Sequence, residues 1–109
     1  MSESGAEMTI TSDGADVAVA VGGDVDLANV DGLQQRLEAA IPNQVTSVTI
    51  DLTDVTYIDS IGMRLLFSLA ARLRTAQIAV VVVAPTGSPA RRVIEISGLA
   101  AVVTLDPAR

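Results

Sequence analysis

One stretch of this chain places a hydroxyl directly after a carboxylate at the start of a helical pattern: Asp59-Ser60-Ile61-Gly62. A strand-like run, Val45 to Leu52, leads through a short loop from Thr53 to Ile58 into this stretch, and a helical pattern follows from Ile61 to Gln77. Ser60 therefore falls in the first turn of a helix, near unpaired backbone N–H groups and the positive end of the helix dipole. Two uses of that position stand side by side. Asp and Ser are favoured helix caps, and Gly62 would let the helix approach a strand. Alternatively, Ser60 is a phosphorylation site. A phosphoryl group adds about −1.5 to −2 charges at neutral pH, which a helix N-terminus tolerates. The surface beside Asp59 would then become strongly acidic and expel a partner with an acidic or apolar docking surface. A third use, a hydrolytic nucleophile, needs an activating base. The chain has no His and no Lys, and a carboxylate such as Asp59 is a poor base for serine.

Two further features adjoin this stretch in chemistry. In Gly22-Gly-Asp-Val-Asp-Leu27, Asp24 and Asp26 could bind a cation, but two monodentate carboxylates alone make a weak site. The same residues fit a turn followed by a helix cap. If the loop lies beside Ser60, both aspartates are placed to contact a partner. Met63 and Phe67, four residues apart, fall between the leucine stripe and the polar face of the second helix. Periodicity leaves open whether they widen the core or form an apolar docking patch next to Ser60.

Composition removes most other chemistries. There is no Cys and no His, so disulfides, thiolate or imidazole metal sites and triads built on those residues are excluded. All the basic residues are Arg, so no Schiff-base or phosphate-loop lysine exists. The net charge of −6 opposes nucleic-acid binding and docking on anionic lipid. No cofactor and no catalysis are expected. The opening residues MSESGAEMTI lack the basic and apolar regions of a signal peptide. No apolar run approaches the roughly 20 residues of a membrane helix. A cytoplasmic protein without direct membrane contact is expected.

These residues need elements to hold them. The 109 residues suffice for one domain. With Tyr57 and Phe67 as the only aromatics, its core must be aliphatic. Residues 1–7 read as a disordered N-terminus and 8–109 as the domain. Met8–Ser12 and Val17–Val21 read as a hairpin turning at Asp13-Gly14 and ending at Gly22-Gly23. Ala28 to Ile41 places Val30, Leu33, Leu37 and Ile41 on one helical stripe, capped by Asn29 or Asp26 and stopped by Pro42-Asn43. In the helix from Ile61 to Gln77, Leu65, Leu66, Leu69 and Leu73 form the buried face. Ile78 to Val83 reads as a strand buried on both faces. Ala90–Ser97 reads as a short helix with Val93, Ile94 and Ile96 inward, closed by Gly98. Ala101–Leu105 is a last strand. The order β-β-α-β-α-β-α-β implies an N-terminal hairpin leading into a mostly parallel mixed sheet with helices packed on it.

Several segments together resemble the STAS-domain family, named for sulfate transporters and anti-sigma factor antagonists. They are Gly23-Asp24-Val25-Asp26, Ile50-Asp51-Leu52-Thr53-Asp54-Val55, Tyr57-Ile58-Asp59-Ser60-Ile61-Gly62-Met63 and Arg92-Val93-Ile94-Glu95-Ile96-Ser97-Gly98-Leu99. Each is weakly diagnostic alone; their order and spacing are specific, and the resemblance spans about Met8 to Leu105. It implies a single STAS-like domain acting as a stand-alone bacterial anti-sigma factor antagonist. Such a protein binds an anti-sigma factor that is also a serine kinase of the histidine-kinase-like ATPase fold, and so frees an alternative sigma factor. The resemblance makes Ser60 the phosphorylated residue, places Asp24 and Asp26 near it, and implies that a metal-dependent Ser/Thr phosphatase resets the modified form. The partner-binding residues expected are Asp24, Asp26, Asp59, Ser60, Ile61, Gly62, Met63 and Phe67. Many relatives carry a second hydroxyl where this chain has Ile61, so Ser60 is the only hydroxyl of its motif. A constitutive scaffold in a stress-sensing complex, or a soluble component of a membrane transport system, is the alternative; nucleotide binding is a weaker third.

Overall fold

The computed structural model describes residues 6–26, 29–41, 44–101 and 103–106. A hairpin of β1 (Ala6–Asp13) and β2 (Asp16–Val25) opens the fold. Its strands pair from Ala6↔Gly23 to Asp13↔Asp16, and Gly14 takes the left-handed conformation (φ 63°) that the two-residue turn requires. Then follow α1 (Val30–Ala40), β3 (Ser47–Ile58), α2 (Ser60–Thr75), β4 (Ala79–Val83), α3 (Pro89–Ser97), one 3₁₀ turn (Leu99–Ala101) and β5 (Thr104–Asp106). The sheet runs in chain order, β1-β2-β3-β4-β5. Only β1–β2 is antiparallel; each later strand joins its neighbour in parallel through a helical crossover. Element order and fold class are those expected from the sequence.

Strand alternation decides which face is covered. Val17, Val19 and Val21 of β2, Val48, Ile50 and Leu52 of β3, and Val80 and Val82 of β4 are buried. They pack with Leu33 and Leu37 of α1, Leu65, Leu66, Leu69 and Leu73 of α2, and Ile94 of α3. The alternate residues, among them Glu7, Thr9, Asp16, Ala18, Ala20, Thr49 and Ala79, are exposed or half-exposed. One sheet face is thus roofed by helices and the other faces solvent, as small and polar side chains there allow.

Several boundaries differ from the sequence reading. β1 begins at Ala6, so Ala6 and Glu7 are paired strand rather than disordered tail; the rest of the expected tail lies outside the described residues. The glycine pair does not end the hairpin: β2 passes through it to Val25. The expected loop Thr53–Ile58 is strand as well, because β3 continues beside β2 to the pair Val25↔Ile58. Two register shifts, between Ala20 and Gly22 and between Gly23 and Asp24, absorb the extra residues of β3. At each bulge the alternation breaks, so Thr53 and Asp54 are both exposed while Val55 and Ile58 are buried. Glycine suits this stretch: a Cβ on Gly22 would lie 3.2 Å from Cβ of Asp54, and Gly23 has φ 81°. The expected helix start at Ala28 and stop at Pro42-Asn43 fall outside the described residues. β4 stops pairing at Asp51↔Val83, and α3 packs against the longer β3.

α3 carries the clearest correction. Ser88 caps it, its Oγ accepting from the Arg91 N–H at 3.1 Å, and Gly98 closes it in the left-handed region. Ile94 is fully buried and Val93 partly so, but Ile96 is 80% exposed. Two residues along a helix turn the side chain about 200° away, so Ile94 and Ile96 cannot share an inward face. β5 is also shorter than expected, because Ala101 belongs to the 3₁₀ turn.

Candidate functional site

The bulged ends of β2 and β3 converge on the start of α2. Asp59 leaves β3 with its backbone N–H donating to the Val25 carbonyl at 3.1 Å. It then caps α2: its Oδ1 accepts the Gly62 N–H at 2.8 Å, and its carbonyl accepts the Met63 N–H at 3.0 Å. Gly62 is buried against the strand ends. A Cβ there would lie 2.8 Å from Val25 Cγ1 and 2.9 Å from Ile58 Cγ1, so only hydrogen fits. The sequence reading gave Gly62 this use, and the geometry supplies the distances.

This arrangement separates the two uses of Ser60. The cap is Asp59; Ser60 is the first residue of α2, exposed, and its hydroxyl has no protein partner among the described residues.

Asp24 and Asp26 lie on the neighbouring strand end. Asp24 is exposed, stands in register with Tyr57, and accepts the Thr56 hydroxyl on Oδ1 at 2.6 Å. Asp26 is half-buried, and its carbonyl accepts the N–H groups of Asn29 and Val30 at 3.1 and 3.0 Å. Asn29, expected as a simple cap, does something different. It occupies the cap position of α1 but makes no capping bond forward; its side chain turns back into the loop. Its Nδ2 donates to the Asp24 carbonyl at 2.7 Å, and its Oδ1 accepts the Asp26 N–H at 3.1 Å. At 7% exposure it is the one buried polar residue among those described. It clamps the segment 24–26 against the strand end that also receives Asp59. Its signal in the sequence was ambiguous, since Asn at that spacing reads equally as a cap.

The remaining candidates divide by exposure. Ile61 and Phe67 are half-buried at the edge of the core. Met63 is 5% exposed within the core, because Gly62 draws the first turn of α2 onto the sheet. Met63 and Phe67 therefore do not form an exposed apolar patch. Tyr57, which sequence reasoning passed over, does offer apolar surface: it is 53% exposed, three residues before Ser60. Its signal was present, as one of two aromatics standing where a strand ends. Among the described residues no group of three or more acidic side chains is arranged to hold a metal ion, and no helix is long and apolar enough to cross a membrane.

A mixed sheet in chain order, with an exposed serine where two bulged strand ends meet a capped helix, defines a small α/β domain. The STAS domain family model matches residues 7–109, and this chain belongs to that family. The anti-sigma-F factor antagonist RsfB of Mycobacterium tuberculosis, in two strains, is 25% identical over 93 residues, covering 84% of this chain and 74% of the relative. The crystal structure of an anti-sigma factor antagonist from Mycobacterium paratuberculosis superposes with a TM-score of 0.84 at 25% identity, covering 94% of this chain and 86% of the other. The anti-sigma factor antagonist SpoIIAA shares the fold in its unphosphorylated form (TM-score 0.74, 17% identity, 91% of this chain and 87% of the other). The Bacillus SpoIIAA structure in the phosphorylated form shares it as well (TM-score 0.70, 20% identity, 91% of this chain and 90% of the other).

Proposed function

We propose that this chain is an anti-sigma factor antagonist that works by binding and is switched off by phosphorylation of Ser60. The observation that carries this reading is the division of labour at the start of α2: Asp59 caps the helix and leaves the Ser60 hydroxyl exposed. Unmodified, the protein docks an anti-sigma serine kinase of the histidine-kinase-like ATPase fold and so releases an alternative sigma factor. The docking surface comprises Asp24, Asp26, Asp59, Ser60, Ile61 and the exposed ring of Tyr57, with Phe67 at its margin. Gly62 and Met63 support it from beneath. The partner supplies ATP and magnesium. It moves the γ-phosphoryl group to the Ser60 Oγ, the hydroxyl proton leaves to solvent, and ADP departs. The added charge, about −1.5 to −2, falls beside three carboxylates and expels the partner. A metal-dependent Ser/Thr phosphatase restores the free hydroxyl. The cycle runs in the cytoplasm, without membrane or nucleic-acid contact by this chain.

The test uses three baits, wild type, Ser60→Ala and Ser60→Asp, with captured proteins identified by mass spectrometry. Capture of an ATPase-fold kinase by the first two and its loss with the third is expected. That kinase should label wild type with radioactive phosphate and leave Ser60→Ala unlabelled. Equal capture of one partner by all three baits would instead make the protein a constitutive scaffold.

A further inference from the structure

The end of the molecule that carries Ser60 is crowded with negative charge. Asp24 lies on β2, Asp26 in the following loop, Asp31 in the first turn of α1, and Asp59 at the cap of α2. Among the described residues, Tyr57 and, a little further back on β3 beside Gly22, Asp54 are the other titratable groups nearby. Among those residues one cation stands with them. Arg64 lies four residues after Ser60 on α2, so its side chain emerges one turn along the same face. It is exposed, and it shares a surface recess with Asp31, Gln34, Ile61 and Ser68. Other arginines are committed: Arg36 donates to the Met8 carbonyl, Arg72 pairs with Glu38, and Arg91 pairs with Glu95. Arg64 has no hydrogen bond or ion pair among the described residues.

We infer that Arg64 is the internal counter-ion of phosphorylated Ser60. This rests on the reading of Ser60 as the modified residue. An acidic group four residues N-terminal to a basic one is the favourable order on a helix, and a guanidinium matches phosphate oxygens in a paired geometry. The consequence is regulatory. A phosphate monoester gives up its second proton near pH 6, and the carboxylates of Asp24, Asp26, Asp31 and Asp59 would favour its retention. Arg64 opposes them and holds a larger share of the phosphate in its doubly charged form. The ejected state then keeps its charge to a somewhat lower pH than the carboxylates alone would allow.

The test needs no kinase, which separates it from the parent reading. Phosphoserine is placed at position 60 by genetic encoding, and its ³¹P shift is titrated by NMR. The second pKa should rise by about 0.3 unit in Arg64→Gln, from the size of such helix pairs. It should be largely restored in Arg64→Lys and unmoved in Arg74→Gln, which removes the same charge from the far end of α2. No shift in Arg64→Gln, or an equal one in Arg74→Gln, overturns the inference. Failure of any kinase to modify Ser60 would sink the switch while leaving this titration readable.

Discussion

At the scale of single residues, the site depends on a missing side chain as much as on those present. Gly62 lets α2 settle on the ends of β2 and β3, and that contact points Ser60 outward. Alanine at 62 would gain up to about 1 kcal/mol in helix propensity. It would also press a methyl carbon against Val25 and Ile58, an overpacking cost of about 1–3 kcal/mol. The clash outweighs the propensity, because one contact is the Val25 carbonyl at 3.1 Å and the strand there is already paired. Gly62→Ala should therefore destabilise the fold by a net amount of about 1 kcal/mol, read as a lower midpoint of chemical denaturation. An unchanged midpoint would mean that α2 does not sit this close to the sheet. The serine, the aspartates and this glycine were legible in the sequence, since each is a residue type its position demands. Asn29 as a loop clamp and Tyr57 as exposed surface were not. Their roles come from what lies across from them, the segment 24–26 and the register with Asp24.

At the scale of elements, legibility followed regularity. The leucine stripe of α2, the valine run of β4 and the glycine that closes α3 all announce themselves by local pattern and stand where expected, but β4 is not buried on both faces: Ala79 is exposed and Val81 half-buried on the open side of the sheet. β3 did not, because its two bulges destroy the alternation by which a strand is read; residues 53–58 look like a loop until β2 is laid beside them. In α3 the reason is simpler: a nine-residue helix offers too few turns for its apolar residues to fix the phase of the buried face, so an isoleucine at 96 reads as inward by its type. The pair Ile94 and Ile96 tests the corrected phase. Ile94→Ala empties a fully buried site and should cost about 2–5 kcal/mol. Ile96→Ala removes surface already in water and should stay within about 0.5 kcal/mol. Comparable losses in urea melts of the two variants would place Ile96 in the core after all.

At the scale of the molecule, charge is sorted by element. Every arginine among the described residues lies on a helix: Arg36 on α1, Arg64, Arg72 and Arg74 on α2, Arg91 and Arg92 on α3. The strands carry Glu7, Asp13, Asp16, Asp24, Asp51, Asp54 and Asp106 and no base. Ser60 stands where the two regions meet, at the head of an arginine-bearing helix and beside the aspartates of the strand ends. A phosphate there can be held by the helix N-terminus without disturbing the sheet. SpoIIAA shares this chain's fold in both its unphosphorylated and its phosphorylated forms. Protein carrying phosphoserine at 60 should accordingly keep its far-UV circular dichroism spectrum. In two-dimensional amide spectra, the shifts should cluster in residues 22–31 and 56–68, where the charge is felt directly. Amides of β4 and β5 should hold their positions, because β4 pairs only with Ser47 to Asp51 of β3, β5 only with β4, and the core between is packed too tightly to deform by small steps. Shifts spread through those elements would show that phosphorylation rearranges the domain, and that partner release follows from a change of shape rather than from repulsion at the docking surface.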